Sequence, residues 1–407
     1  MAEGEADMIE KLILFENAVE TLGYFSRQLA VTFEKLGYHT FFVNHNQLDV
    51  SVKHLKRFMK QGNTAVLTFN FIGLSDEDYC MESDGRSMWE TRNLPCYCIM
   101  VDHPLYYFKQ LRKGIPKLVT FCVDRQHVAY MHRFYPEIPC FFLPLAGNVL
   151  PNQEIGDMGI PYQERAYDVA FIGNHVFLPN IRDQLKSQTQ EYIDFYNEIL
   201  NELKQNPNLP VDATMERFIR REIPNVTDED IASSEHGMLF LELYIRTWYR
   251  EKVVRQLVDS GMKVHAFGKQ WEQLQCEHPE NLIASGRMMN SMECVEVLRN
   301  SKIALNVMPW FKDGAHDRIF TAMLNGAVSV TDDSIYLNEI LSDGKNTMFY
   351  YLDRLDELPD RVKGLLARPE KAMAMVREAY AFANQSHTWE QRALELHEHI
   401  SNSNKIQ

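Results

Sequence analysis

Several common functional signatures are missing from this 407-residue chain. It has no G-x-x-x-x-G-K-[ST] run, which argues against a P-loop kinase or ATPase. It has no G-x-S-x-G, which argues against a hydrolase elbow. It has no G-x-G-x-x-G, so a nicotinamide or flavin dinucleotide site is poorly supported. The seven cysteines include no C-x-x-C pair, and the His and Cys spacings form no zinc pattern. An odd cysteine count, with several thiols in apolar runs, fits a reduced, cytoplasmic setting. No apolar run reaches membrane-spanning length, and no basic-then-apolar leader opens the chain, so no integral membrane segment is expected. Positive charge is scarce: 42 Lys and Arg stand against 56 Asp and Glu, a net charge of −14. That balance argues against nucleic acid or an anionic membrane as a partner. The local basic run Lys53 to Arg57 reads as a solvated helix face. The opening residues, MAEGEADM, read as a flexible start.

What is present is an ordinary globular composition, with 45% hydrophobic and 24% charged residues. Strands are expected at Lys11–Phe15, His39–Val43, Ala65–Phe69, Cys96–Val101, Lys117–Cys122 and Cys140–Leu143. They are near-continuous apolar runs, as in a parallel sheet covered on both faces. Amphipathic stretches alternate with them, and Gly37, Gly62 and Gly114 stand as helix stops before strands. Leu145–Glu164, rich in Pro, Gly and Asn and lacking periodicity, reads as an interdomain linker. A second series follows, with strands at Tyr167–Ile172, Lys263–Phe267, Leu282–Ala284, Ile303–Val307, Val328–Thr331 and Thr347–Tyr350. A polar, helix-prone insertion at about 179–236 interrupts it, and Leu239–Asp259 reads as one long helix. The expected class is α/β, with two Rossmann-like domains, 1–150 and 165–385, facing across a cleft. A C-terminal helix at 386–407 is placed to pack back on the first domain.

Ligand positions in such a fold are the loops after the strands. Gly23 and Tyr24 follow the first strand, where a glycine lets backbone approach a ligand; a plain turn is the alternative. Asp102-His103-Pro104 follows the fourth. His103 could hydrogen-bond a substrate hydroxyl with Asp102 orienting it, or the pair could be a helix cap with a structural histidine. Gly173 and Asn174, Gly268 and Lys269, and Ser285-Gly286-Arg287 follow strands of the second series. Backbone N–H groups there could face phosphates, and Lys269 could neutralise a diphosphate. Asp76-Glu77-Asp78 and Asp228-Glu229-Asp230 have a D-x-D spacing but read as helix starts, so no metal site is expected.

The most informative stretch is Ile303 to Asn338. It reads strand, polar loop, helix, glycine stop, strand, acidic loop, helix. His316-Asp317-Arg318 opens the helix, whose apolar positions Ile319, Phe320, Met323 and Leu324 recur at three- and four-residue spacing. Asn325-Gly326 ends it as a left-handed cap, and Asp332-Asp333-Ser334 caps the next helix. The unit aims a helix N-terminus and an arginine beyond the strand ends, where an anion such as a diphosphate is held. Asp317 as a mere N-cap and Arg318 as a surface ion pair form the alternative.

These motifs resemble the GT-B glycosyltransferases, close to the group-1-like transferases and the spore maturation protein CgeB-like family. The resemblance rests on Tyr167-Asp168-Val169-Ala170-Phe171-Ile172-Gly173, Ala266-Phe267-Gly268-Lys269, Ser301-Lys302-Ile303-Ala304-Leu305-Asn306, Arg318 to Ala327 and His387-Thr388-Trp389-Glu390-Gln391-Arg392. It covers most of 165–400. In 9–145 it rests on element order and Asp102-His103-Pro104. It implies a nucleotide-diphosphate sugar donor, a UDP-sugar above all, bound by the second domain through Arg318 and Lys269. It implies a protein or glycan acceptor, such as flagellin or another surface protein, bound by the first. It also implies hexosyl or N-acetylhexosaminyl transfer with retention, no metal and no covalent cofactor. Many retaining relatives carry two glutamates eight positions apart where this chain has Asp313 and Thr321. An inactive GT-B-like scaffold, a sugar-nucleotide epimerase and a phosphorylase are the rival readings.

Overall fold

The structure, a computed structural model, describes residues 9–59, 63–186 and 188–402. The opening residues read as a flexible start and Gly62 lie outside them. Contacts divide the chain into two compact units, residues 1–146 with 387–407, and residues 147–386.

The first unit holds β1 (Lys11–Glu16), β2 (His39–Asn44), β3 (Thr64–Phe69), β4 (Cys96–Met100), β5 (Leu118–Cys122) and β6 (Cys140–Phe142). They form one sheet in the order β2-β1-β3-β4-β5-β6. Every pairing is parallel, with Ile13 opposite both Phe41 and Val66. Every residue of β3 and β4 is buried, as strands covered on both faces require. The basic run lies on the helix Leu48–Phe58, where Leu55 is buried and Lys53 and Arg57 are exposed. The C-terminal helix Trp389–Asn402 packs on this unit, with the Trp389 ring 4.6 Å from Phe25. All seven cysteines are free thiols.

The second unit holds β7 (Tyr167–Ile172), β8 (Val264–Phe267), β9 (Leu282–Ala284), β10 (Ser301–Asn306), β11 (Val328–Asp332) and β12 (Met348–Tyr350). Their order is β12-β11-β10-β7-β8-β9, again all parallel. The chain enters at β7, builds outward to β9, then crosses back to β10. The insertion forms helices Leu178–Arg182, Gln190–Gln205, Val211–Glu222 and Asp228–Gly237. It leads into the helix Leu239–Asp259, which buries Leu241, Ile245, Val253, Val254, Leu257 and Val258.

The segment read as a linker is instead built into the second unit. A Cβ on Gly147 would lie 2.6 Å from the Phe320 backbone, so only glycine allows that approach. The buried Arg165 guanidinium donates to the carbonyls of Met158 (2.7 Å), Ile160 (2.8 Å) and Ser301 (2.8 Å), and to Gly326. Non-periodic sequence signals the absence of a helix or strand. It does not report whether side chains elsewhere satisfy the backbone.

Candidate anion site at the switch point of the second sheet

In a doubly wound sheet the ligand crevice opens beyond the strand ends where the chain reverses direction. In the second unit that point lies between β7 and β10. The helix Asp317–Leu324 begins there. It ends in a Schellman motif: Ala327 N–H donates to Ala322 O (2.9 Å) and Gly326 N–H to Met323 O (3.4 Å), with Gly326 at φ +74°. Asn325-Gly326 therefore fixes the last turn and leaves the N-terminus at the crevice.

Arg318 spans the switch point. Its Nη1 donates to the carbonyl of Ile172, the last residue of β7, at 2.5 Å. Its guanidinium lies 5.9 Å from the Phe171 ring. The N-cap is His316, not Asp317. His316 Nδ1 lies 2.5 Å from the Asp317 carboxylate and 3.3 Å from the Arg318 N–H. Its Nε2 lies 2.9 Å from Arg318 Nη2, which can only donate. Nδ1 caps the helix, accepting from the Arg318 backbone N–H, and Arg318 Nε lies at the same 3.3 Å. The positive end of the helix dipole points the same way as the Arg318 charge. Burial, helped by the Arg318 charge, pushes His316 down to about 4, so the ring is neutral at pH 7. Burial pushes the Asp317 carboxyl up, but His316, Arg318 and Asn148 outweigh it and hold it below the usual range.

Two further arginines meet Arg318. Arg246 and Arg250 lie one turn apart on the helix Leu239–Asp259. Both guanidinium groups stack on Trp310, each 4.9 Å from its ring centroid. Trp310 follows β10, and its ring lies 6.3 Å from His316. Arg246 is paired with Glu242 at 3.0 Å. Arg250 Nε is buried without a hydrogen-bond partner among the described residues. Burial and the charge of Arg318 push Arg250 well below the ordinary arginine range. Asp332, at the end of β11, accepts from Met308 N–H at 2.9 Å, and burial raises its carboxyl to about 7. Its charge acts on Arg250 and Arg318. Sequence reading missed Arg246, Arg250 and Trp310. The four-residue spacing of the arginines was visible, but nothing local connects them to Trp310.

The other expected donor residues fall into two groups. Gly173 and Asn174 after β7 sit beside Gly268 and Lys269 after β8. Lys269 N–H donates to Asn174 Oδ1 at 3.0 Å, and a Cβ on Gly268 would lie 2.3 Å from Gly173 O. Gly286 (φ +65°) and Arg287 lie after β9, exposed, with Arg287 paired to Glu293 at 2.9 Å. Thr321 is buried and engaged inward. Its hydroxyl donates to Asp317 O (2.8 Å) and accepts from Asn148 N–H (3.0 Å). Asn148 Nδ2 also donates to Asp317 Oδ2 at 2.9 Å. Thr321 thus anchors the entry of the chain into this unit.

In the first unit the switch point lies between β1 and β3. Gly23 lies on the helix Glu20–Lys35, and a Cβ there would crowd Glu16 and Asn17 at 3.3 Å. Tyr24 is half-buried, its hydroxyl pushed up to about 12 by burial and then by Glu20. Asp102 lies farther along the sheet. It accepts from Asn70 Nδ2 (3.1 Å) and Tyr107 Oη (3.3 Å). His103 is the N-cap of a short turn: its Nδ1 accepts from Leu105 N–H at 3.1 Å, so its proton sits on Nε2. The ring packs against His127 (4.4 Å) and Tyr130 (4.8 Å). Of the D-x-D segments, Asp76 pairs with Lys113, and Asp230 closes a capping box with Thr227. Among the described residues, no three His, Cys, Asp or Glu side chains gather as a metal site.

Residues 246–398, just over a third of the chain, match a family model described as glycosyl transferase-like. No curated protein sequence matches the chain. Among solved structures it is similar to a sucrose-phosphate synthase from Thermosynechococcus elongatus, at 10% identity and a TM-score of 0.52, covering 98% of this chain and 100% of that one. It is similar to an alpha-glucosyltransferase in complex with UDP-glucose and DNA containing an abasic site, at 12% identity and 0.53, covering 96% and 98%. It is also similar to Anabaena Alr3699/HepE in complex with UDP-glucose, at 10% identity and 0.50, covering 98% and 100%. Two six-stranded parallel sheets with flanking helices, in this order, give the chain the GT-B fold.

Proposed function

We propose that the chain is a glycosyltransferase that moves a hexosyl or N-acetylhexosaminyl group from a nucleoside-diphosphate sugar to a hydroxyl. UDP-sugars are the first donors to test, and a protein such as flagellin, or a glycan, is the acceptor. The observation that carries this reading is the Arg246–Arg250–Arg318 cluster at the switch point. Three half-buried guanidinium groups with too few carboxylates repel one another, at a cost that a bound diphosphate removes. Two of the proteins similar in fold are described with UDP-glucose bound.

In this reaction the C1–O bond to the diphosphate breaks, and its electron pair goes to the phosphate oxygen. The acceptor oxygen bonds to C1, and its proton goes to that departing phosphate oxygen on the retaining path. Arg318, Arg250 and the positive end of the helix dipole stabilise the leaving group in place of a metal ion. Lys269, Asn174 and the glycine turns complete the donor contacts, with Gly286 and Arg287 at the base. His103, with its proton on Nε2, donates to a sugar or acceptor oxygen and acts as a polariser; the Leu105 N–H orients its ring, in place of the expected Asp102, which is engaged with Asn70 and Tyr107. Gly23 and Tyr24 form part of the acceptor side. The setting is cytoplasmic.

Calorimetry with UDP-, GDP- and TDP-sugars, followed by product analysis with a labelled donor, tests the reading. Transfer supports it; an epimer or a sugar phosphate as product overturns it. A second reading, an inactive GT-B-like scaffold, is favoured by Thr321, whose hydroxyl is spent inside the unit. That reading requires that no nucleotide sugar binds. Retention is checked by the anomeric NMR signal of the product, and metal independence by unchanged turnover in EDTA.

A further inference from the structure

The turns after β7 and β8 are fastened to each other. His175 N–H donates to Lys269 O (3.0 Å), Lys269 N–H to Asn174 Oδ1 (3.0 Å) and Trp271 Nε1–H to Gly173 O (2.6 Å). Gln270 takes a left-handed conformation, φ +66°, and turns its carbonyl inward. Beneath these bonds lies the His175 ring, 3% exposed. Its Nδ1 is 3.0 Å from Gln270 O, and its Nε2 is 2.7 Å from Glu251 Oε1. A backbone carbonyl can only accept, so Nδ1 donates. The Glu251 carboxylate faces Nε2, and its Oε2 already accepts from Arg255 Nη2 at 3.2 Å. A carboxylate can only accept, so Nε2 donates as well. A neutral ring would set a nitrogen lone pair against an oxygen lone pair in a buried place.

We propose that His175 is a charged positioning residue: an imidazolium seated between Gln270 and Glu251 that holds the Gly173 and Gly268 turns in register. The consequence reaches the anion site. A Cβ position on Gly173 lies 3.2 Å from Arg318 Nη1, and that same Nη1 holds the Ile172 carbonyl. The Gly173 turn therefore sets where the Arg318 fork points. The groups facing His175 are Glu251 and Arg255 from the long helix, and the Gln270 carbonyl and Trp271 ring from the β8 turn. The choice of diphosphate as the ligand rests on the function proposed above; the charge on the ring does not.

Two measurements test this. Nitrogen-15 spectra of histidine-labelled protein at pH 7.5 should show both His175 ring nitrogens protonated, the signal being assigned by its Overhauser contacts to the Trp271 ring. One bare nitrogen overturns the proposal. Calorimetry with UDP then reads the effect on the site. At pH 7.5, Glu251→Gln and His175→Gln should each bind about 10-fold more weakly than the parent, because the Gly173 turn no longer holds the Arg318 fork. A Glu251→Gln variant with the parent's affinity overturns the proposal. A parent that does not bind UDP overturns the donor reading instead, and the nitrogen spectrum still decides the ring.

Discussion

The two sheets each hold six strands, all parallel, but differ in strand order, and their switch points differ in chemistry. At β1/β3 the crevice carries Asn17, Gly23 and Asn70. Asn70 spends its amide on Val101 N–H at 2.9 Å and on Asp102. At β7/β10 it carries Arg318, a helix N-terminus and two more arginines on Trp310. The first is polar, with Asn70 engaged inside its own unit; the second gathers three arginines. Arg318 comes from the helix between β10 and β11, and Arg246 and Arg250 from the long helix that leads into β8.

The sharpest way to break the comparison is Arg318→Ala. Turnover should fall by roughly 100- to 1,000-fold, with loss of one donor to the leaving group. Thermal unfolding should stay near the parent's. Near-parent turnover would remove the second switch point from the reaction. The counterpart in the first sheet is His103→Ala, expected to lower kcat by on the order of 100-fold with UDP affinity unchanged. His103→Gln, which keeps a donor, should recover part of it. Equal rates in parent and alanine variant would end the role of His103.

Arg250→Met separates binding from stability. UDP affinity should fall about 10-fold, while stability rises by about 1 kcal/mol as a like-charge contact disappears. Titration calorimetry and denaturant melts read the two, and a fall in both would contradict the repulsion. Thr321→Val should behave in the opposite way. It should cost about 1–2 kcal/mol of stability by leaving Asn148 N–H unpaired and leave UDP affinity alone. Weakened UDP binding would return Thr321 to the donor site.

The smallest effect is in the pH dependence of stability. His316 sits at about 4 when folded, below its ordinary 6.5. The unfolded chain takes up that proton first, so this group removes stability as pH falls from 6.5 toward 4. Asp332 sits at about 7 when folded, above 3.8, so it adds stability as pH falls from 7 toward 4. The slopes oppose each other across one window. Asp332→Asn should therefore lose stability with acid more steeply than the parent. Denaturant midpoints at pH 7 and pH 5 decide this, and an unchanged slope would refute it.

Much of the fold was legible because its causes are local. The strands around Ile13, Val66 and Ala304 are apolar runs of strand length, and Leu239–Asp259 forms the one long helix expected. Gly326 could be read as a helix stop, since only a left-handed position makes that turn. The segment 145–164 was misread because side chains that satisfy a loop carry no periodicity. Arg318 was legible because its own helix start marks it. His316 displaced Asp317 as the N-cap because Asp317 finds Asn148 in the folded unit.

By itself, then, the sequence determined the alternation of strands and helices, their caps and the one arginine that its own helix presents. Backbone sterics and hydrophobic spacing act over a few residues, and so can be read there. Only the tertiary structure decided that Arg246, Arg250, Trp310 and Arg318 share one crevice, and that His175 has acceptors on both sides. Those meetings depend on β7 pairing with β10 and on a long helix crossing the sheet. Charge and hydrogen-bond geometry between distant segments exist only once those contacts are made.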